Sequence, residues 1–136
     1  MTRKTAPVLT SDQSIALTSG LRAPAHARAW VSEHVATLSG DLVDNALLVV
    51  SELVTNAVRH GGTGIVVSLR HLSHGVRIAV ADAGEALPTP PDAQPRPDAP
   101  HGRGLLIVAA TAADWGVVPN DPPPGKTVWA DVVLQD

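Results

Sequence analysis

The spacing of apolar residues changes along the chain and predicts helices in the first half and strands in the second. Residues 14–18 form a short predicted strand. A helix then begins near Pro24, because a proline in the first turn of a helix leaves no intrahelical hydrogen bond unmade. This helix runs to about Leu38, and Ser39 and Gly40 end it.

Asp41 is the predicted N-cap of a second, longer helix, which ends at His60 before two glycines. Its apolar residues recur at helical spacing, and Leu48 and Val49 flank Glu52 on the other side. We therefore expect the helix to be buried on nearly every side. The stripe consists of Val43, Ala46, Leu47, Val50, Leu53, Val54 and Ala57.

From Gly64 the apolar period becomes two, which is typical of strands covered on one face. Residues 65–69 and 76–80 form a predicted hairpin with its turn at 71–75. A third helix is expected from about Gly104 to Ala113, and the last strands at 117–118 and 127–134. The predicted fold is α+β, a two-layer sandwich whose mixed, mostly antiparallel sheet carries helices on one face.

Composition narrows the classes of function. The 136 residues contain no cysteine, no Phe and no Tyr, and the net charge is −3 with scattered basic residues. The charge distribution argues against nucleic acid as a partner, and the lack of cysteine excludes a disulfide framework or a thiolate zinc site. The chain has neither a signal-like start nor about 18 consecutive apolar residues, so we expect one cytoplasmic domain over residues 1–136, structured from about 12 to 134, without a membrane segment.

Glu52 and Asn56 carry the most specific chemistry. Residues four apart share one face of a helix, so a carboxylate and a carboxamide lie side by side. Such oxygens suit Mg²⁺, which takes one or two protein ligands and completes its octahedron with water and phosphates. A satisfied polar pair within the packing is the alternative interpretation.

Two later motifs could complete a nucleotide site. Asp82 follows a strand, and Gly84 lets a backbone approach a ligand closely; the aspartate either forms a turn or accepts a hydrogen bond from an exocyclic amine. Residues 102–105 precede or open a helix whose free N–H groups favour anions, although a flexible loop end would also explain the glycines. Between the motifs, residues 88–100 hold six of the twelve prolines and form a predicted surface loop.

Other candidate sites are weaker. Residues 124–127 look like part of a P-loop, but Asn120 stands where that motif needs its first glycine and a strand follows. The histidines lack the paired spacing of metal ligands, and Ser51 lacks the context of a hydrolase nucleophile. Trp115 and Trp129 lie in or beside predicted strands and read as packing residues.

The order of these motifs, closing with residues 125–127 at the start of a strand, resembles the Bergerat (GHKL) ATP-binding superfamily over roughly residues 12–134. That superfamily includes gyrase-type, chaperone-type and histidine-kinase catalytic domains. The likeness is greatest to the short anti-sigma-factor serine kinases. It implies the Bergerat fold, ATP and Mg²⁺ as ligands, and a lid loop over residues 86–101.

The resemblance also implies roles for individual residues. Glu52 would be the general base and Asn56 the Mg²⁺ ligand. Asp82 would bind the adenine amine, with Gly84 lining the base pocket and Thr127 joining the adenine network. The predicted phosphate-binding residues are Gly102, Arg103, Gly104 and Leu105.

Two features qualify these assignments. Ala86 replaces the second glycine of the Asp-x-Gly-x-Gly motif, which leaves the loop after Gly84 less free. Arg59 and Arg103 could each reach phosphate, although an isolated arginine more often forms a surface ion pair; of the two, we include Arg103 in the predicted site.

The function implied is an ATP-dependent serine/threonine kinase of the anti-sigma-factor type. Its partners would be a small anti-anti-sigma (STAS-type) protein, which it phosphorylates, and a sigma factor, which it sequesters; a homodimer is also considered. The main alternative is a non-catalytic ATP-gated binding module that regulates transcription through protein contacts. A histidine-kinase catalytic half is the weakest alternative, because the chain has no phosphoacceptor helix pair.

Overall fold

The structure is a computed structural model that describes residues 12–60, 64–84 and 101–134, with only the backbone for 101–104. Five strands and three helices follow one another along this part of the chain. Their bounds are β1 Gln13–Thr18, α1 Ala23–Val35, α2 Gly40–His60, β2 Gly64–Leu72, β3 Gly75–Asp82, α3 His101–Thr111, β4 Asp114–Pro119 and β5 Lys126–Val133.

The strands form one sheet in the order β1-β2-β3-β5-β4. Each of the four strand pairs in the described part of the chain is antiparallel, so the expected mixed sheet is here wholly antiparallel. The predicted hairpin is confirmed, with Ser73 and His74 as the turn between β2 and β3. β5 returns to pair with β3, which places Lys126 directly opposite Asp82.

The helices pack on one face of the sheet and thereby form the second layer. Alternate residues of β2 and β3, such as Val67 and Ile78, are fully buried, and Leu53 of α2 meets this face from the other side of the core. α2 contacts β2, β3 and β5 as well as both other helices. The two-layer α+β prediction is therefore confirmed, with α2 at its centre.

The start and exposure of α2 differ from the prediction. The backbone N–H of Leu42 donates to Ser39 Oγ at 3.3 Å, so Ser39 is the N-cap and Asp41 lies inside the first turn. The predicted apolar stripe is confirmed, but Asp44 and Asn45 are exposed and Leu48 retains 41% of its accessible surface. Burial on nearly every side holds only from about Val49 onward.

The other predicted bounds are close to those observed. α1 begins at Ala23, with Pro24 in its first turn as predicted, and ends about three residues early at Val35. α3 begins at His101, three residues before the predicted start at Gly104. Except for His101, the predicted lid at 86–101 lies outside the described residues, as do the glycines after His60.

The sheet face away from the helices carries an ion pair. Arg77 donates from Nε and Nη2 to the two carboxylate oxygens of Asp131, at 2.6 and 2.9 Å, and this hydrogen bonding raises the pKa of Arg77. The guanidinium also lies 5.3 Å from the ring centroid of Trp129. A side chain at Gly116 would crowd that indole, so the glycine gives it room. Trp129 is thus a sheet-face packing residue, as predicted.

In the described part of the chain, no helix combines the length and the apolar character needed to cross a bilayer.

Candidate functional site

Glu52 and Asn56 lie one turn apart near the C-terminal end of α2. Asn56 is buried, with 7% of its surface exposed, and Glu52 is half-buried. Leu53 and Val54 anchor this part of the helix in the core. The structure therefore places the two polar side chains on a helix segment that packing holds firmly.

The side chains of Glu52 and Asn56 have no polar partner among the described residues. Among these residues no hydrogen bond or ion pair involves the side chain of Glu52 or Asn56, whereas every fully buried side-chain polar atom has a partner. The Asn56 carboxamide must therefore reach accessible space, and the satisfied polar pair considered above is not formed between them. Both groups are free to meet a ligand.

The donor set fits Mg²⁺ held together with a nucleotide. Asn56 and Glu52 supply hard oxygen atoms, and the described residues contain no cluster of three or more His, Asp or Glu side chains that would hold a cation alone. Mg²⁺ bound by few protein oxygens relies on phosphates and water for its other positions. Asn56 would be the residue that holds it here.

Asp82 lies at the end of β3 and has two kinds of partner. Its Oδ1 accepts a hydrogen bond from the backbone N–H of Gly84 at 2.9 Å, which is the turn-forming use of the residue. Lys126 Nζ lies 3.0 Å from Oδ1 and 3.1 Å from Oδ2. Both residues are buried, with 4% of Asp82 and 3% of Lys126 exposed, so they form a charge pair inside the protein.

Lys126 was given no role from the sequence, where it appeared in a rejected P-loop match and at the start of the last predicted strand. A signal was present, because Lys126, Val128, Ala130 and Val132 alternate along β5 and so share one face. A lysine in the apolar register of a strand needs an acidic partner once it is buried. Only the pairing of β3 with β5 identifies that partner as Asp82.

Thr127 lies on the opposite sheet face from Lys126 and pairs in register with Ala81. Its Oγ1 donates to Asn120 Oδ1 at 2.7 Å, and Asn120 Nδ2 donates to the Asp82 backbone carbonyl at 2.9 Å. The structure therefore does not bring the Thr127 side chain to the Asp82 carboxylate. Thr127 reaches Asp82 only through Asn120, and Lys126 takes the place beside the carboxylate.

A cavity of about 500 Å³ lies next to this charge pair, within the usual range for small-molecule sites. Gly84 and Lys126 belong to its wall, which is otherwise largely apolar. Its other lining residues are Val117, Pro119, Asn120, Pro123, Pro124 and Gly125. Gly84 and Lys126 thus line a pocket suited to a flat, mostly apolar group. Asp82 lies beside this pocket as the partner of Lys126.

The predicted phosphate-binding stretch forms the first turn of α3, with Gly102 and Gly104 inside the helix. The N–H groups of a first turn have no intrahelical acceptor, which suits an anion. Leu105 is fully buried, so its side chain packs against the protein. The Arg103 side chain lies outside the described part of the structure.

Two residues that the predicted site leaves out lie on α2. Ser51 Oγ accepts a hydrogen bond from Arg28 at 3.1 Å, which links α2 to α1. Arg59, the other arginine within reach of phosphate, is exposed near the end of α2.

Comparison with known proteins identifies the family. A model of the histidine kinase-like ATPase domain matches residues 17–131, which include Glu52, Asn56, Asp82 and the start of α3. No match to a curated protein was found. The family match covers most of the chain and agrees with its helix-on-sheet architecture and with the order of its motifs. The chain therefore belongs to the histidine kinase-like ATPase domain family, of the GHKL type, whose members bind ATP.

Proposed function

We propose that this chain is an ATP-dependent protein-serine/threonine kinase of the anti-sigma-factor type. It phosphorylates a small anti-anti-sigma (STAS-type) protein and, when free of it, sequesters a sigma factor. The observation that carries the kinase proposal is the pair Glu52 and Asn56, which have no partner among the described residues and lie one helical turn apart. A carboxylate next to a Mg²⁺ ligand is suited to receive a proton beside the phosphates.

The proposed reaction is an in-line phosphoryl transfer. The serine hydroxyl oxygen of the antagonist attacks the γ-phosphorus, the bond from that phosphorus to the bridging oxygen breaks, and ADP leaves with the electron pair. The hydroxyl proton passes to the carboxylate of Glu52. Mg²⁺, when bound with the nucleotide, offsets the phosphate charge.

The remaining motifs would orient the nucleotide. Asp82 accepts a hydrogen bond from the 6-amino group of adenine, and Gly84 leaves room for the base. The backbone N–H groups at the start of α3 bind phosphate, since they are the free donors of that helix. Arg103 and the lid at 86–101 would complete this half of the site.

ATP binding is tested first, by thermal unfolding with and without Mg²⁺-ATP. Ligand at about 100 times its dissociation constant adds roughly 2.7 kcal/mol to the free energy of unfolding, which raises the melting temperature visibly. An unchanged melting temperature, together with no heat of binding in calorimetry, would overturn the proposal.

The division of roles is tested with two variants. Glu52→Ala should bind Mg²⁺-ATP like the wild type but transfer phosphate to the antagonist about 10²- to 10⁴-fold more slowly, as for loss of a general base. Asn56→Ala should weaken Mg²⁺-dependent ATP binding itself. Asn45→Ala, on the exposed side of the same helix, is the matched control and should change neither property.

Radiolabel from ATP should appear on the antagonist's serine with wild-type protein. Nucleotide binding without any transfer would instead favour the ATP-gated binding module. Equal loss of binding in Glu52→Ala and Asn56→Ala would contradict the separate roles of base and metal ligand.

A further inference from the structure

The buried Lys126 calls for an explanation beyond packing. Removing an ammonium and a carboxylate from water is costly for each ion, and a buried ion pair is often no more stabilising than apolar residues of the same size. The neighbouring positions on the same face, Val128 and Ala130, are apolar. Lys126 lines the cavity described above and Asp82 is its direct partner, which suggests a binding role for the pair.

The hydrogen-bonding capacity of the pair is not exhausted. An ammonium carries three N–H donors, and Lys126 directs two contacts at Asp82, so one donor remains. A carboxylate has about four acceptor positions. Lys126 uses one on each oxygen, and the Gly84 N–H uses another on Oδ1, which leaves one on Oδ2. The pair therefore offers one donor beside one acceptor.

The edge of adenine presents the complementary groups. Its 6-amino group donates a hydrogen bond, and the adjacent ring nitrogen N1 accepts one. The apolar wall formed by Val117, Pro119 and the neighbouring prolines suits the faces of the ring. Guanine presents these groups in the reverse order, an O6 acceptor beside an N1–H donor.

We propose that Lys126 is a specificity-determining residue of the base pocket, which donates its third ammonium N–H to N1 of adenine while Asp82 accepts from the 6-amino group. This assignment rests on the proposed ATP-binding function and adds a direct reading of N1. Thr127 has no part in it, because its side chain lies on the other face of the sheet.

The test compares ATP with 1-deaza-ATP, in which carbon replaces N1, and with GTP, by titration calorimetry in the presence of Mg²⁺. A hydrogen bond from a charged donor corresponds to roughly 10- to 100-fold in affinity. Wild-type protein should bind ATP more tightly than 1-deaza-ATP by about that factor, and more tightly than GTP. This comparison needs no substitution and is independent of any effect of a variant on folding.

Lys126→Met keeps an unbranched side chain, one atom shorter, and removes its donors. In this variant the ratio of the two affinities should fall to about one, with circular dichroism confirming the fold. Arg28→Met, which removes a cation on α1 away from the cavity, should keep the wild-type ratio.

Equal binding of ATP and 1-deaza-ATP by the wild type would overturn the inference and leave ATP binding intact. A wild-type ratio in folded Lys126→Met, or tighter binding of GTP than ATP, would also overturn it. Failure of the wild type to bind any of the three nucleotides would instead overturn the proposed function, and this inference with it.

Discussion

Gly125 joins the last turn to β5 at a position that only glycine fits easily. Its φ is +95°, and a Cβ there would overlap the carbonyl oxygen of Asp82 and the Cα of Ala83. The glycine therefore lets the turn pass directly over the end of β3. This close approach also fixes where Lys126 enters the sheet, one residue later.

We predict that Gly125→Ala lowers the free energy of unfolding by about 1–3 kcal/mol, because alanine is strained in the left-handed backbone at this position and its Cβ overlaps the end of β3. Chemical denaturation of the variant measures this effect. Gly64→Ala is the control, since a Cβ at Gly64 meets nothing within 4 Å. An equal loss in both variants would contradict the explanation.

The carboxylate of Asp12, just before β1, links the stability of the protein to pH. This carboxylate accepts a hydrogen bond from the backbone N–H of His71 at 2.8 Å, and this bond lowers the pKa of Asp12 below its usual 3.8. A carboxyl with a lowered folded-state pKa stabilises the protein above its unfolded pKa. That contribution is lost as the pH falls through the folded value.

We predict that Asp12→Asn melts at a lower temperature than the wild type near neutral pH, and that the difference disappears in acid, well below about pH 4. Melting curves at several pH values between these limits measure it. A difference that stays constant across the series would mean that the charge of Asp12 is not responsible.

For single residues, the sequence predicted the relative placement of the candidate site residues better than the identity of their neighbours. Glu52 and Asn56 were predicted to share a helix face because the spacing that places them together is local. Lys126 was not assigned to Asp82, because 44 residues separate them and only strand pairing brings them together. The strand register decides which of the adjacent residues Lys126 and Thr127 meets the Asp82 carboxylate, and the sequence alone does not show that register.

Among the elements, α2 shows how a cap determines where a helix begins. Ser39 and Asp41 are both good N-cap residues by type, and the sequence alone favoured Asp41. In the structure the Ser39 hydroxyl accepts from Leu42, and the Ser39 carbonyl accepts from the N–H of Val43 at 2.9 Å. Ser39 is therefore the N-cap, and its carbonyl accepts the first backbone hydrogen bond of the helix.

Ser39→Ala should cost about 1 kcal/mol of unfolding free energy, because Leu42 N–H loses its acceptor. Asp41→Ala should cost only a few tenths of a kcal/mol, as loss of a favourable charge in the first turn. Urea denaturation of both variants distinguishes the two caps. The reverse order of effects would restore Asp41 as the N-cap.

The start of α3 was placed three residues late for a physical reason. Glycine is a poor helix former, by about 1 kcal/mol relative to alanine, so Gly102 and Gly104 read as loop. Burial of Leu105 and Val108 anchors the helix, and tertiary packing of this kind overrides local propensity. The strands were easier to predict, because a period of two repeated along β2 and β3 leaves little ambiguity.

For the whole molecule, the core and the surface of α2 should respond differently to the same substitution. Leu53 is fully buried between the sheet and the other helices, whereas Leu48 is 41% exposed. Leu53→Ala should lower the free energy of unfolding by about 2–5 kcal/mol through lost burial and a cavity. Leu48→Ala should cost much less, about 1 kcal/mol or under.

Denaturation curves of both leucine variants measure this difference, and similar losses of unfolding free energy would contradict the placement of α2.

The two-layer architecture was predictable because the apolar residues of each helix and strand recur on one face of that element. The order of the strands was not, because the pairing of β3 with β5 depends on contacts distant in the chain.

Because α2 lies at the centre of the fold, the number of helical residues that precede Glu52 is also fixed. One residue inserted between Leu47 and Glu52 would rotate everything after it by about 100° and advance it by about 1.5 Å. Glu52 and Asn56 would then turn away from their present direction, and the buried leucine and valines beside them would leave the sheet. Insertions and deletions in this helix should therefore be far less tolerated than substitutions, since a shift in phase would disturb the proposed site and the packing of the core together.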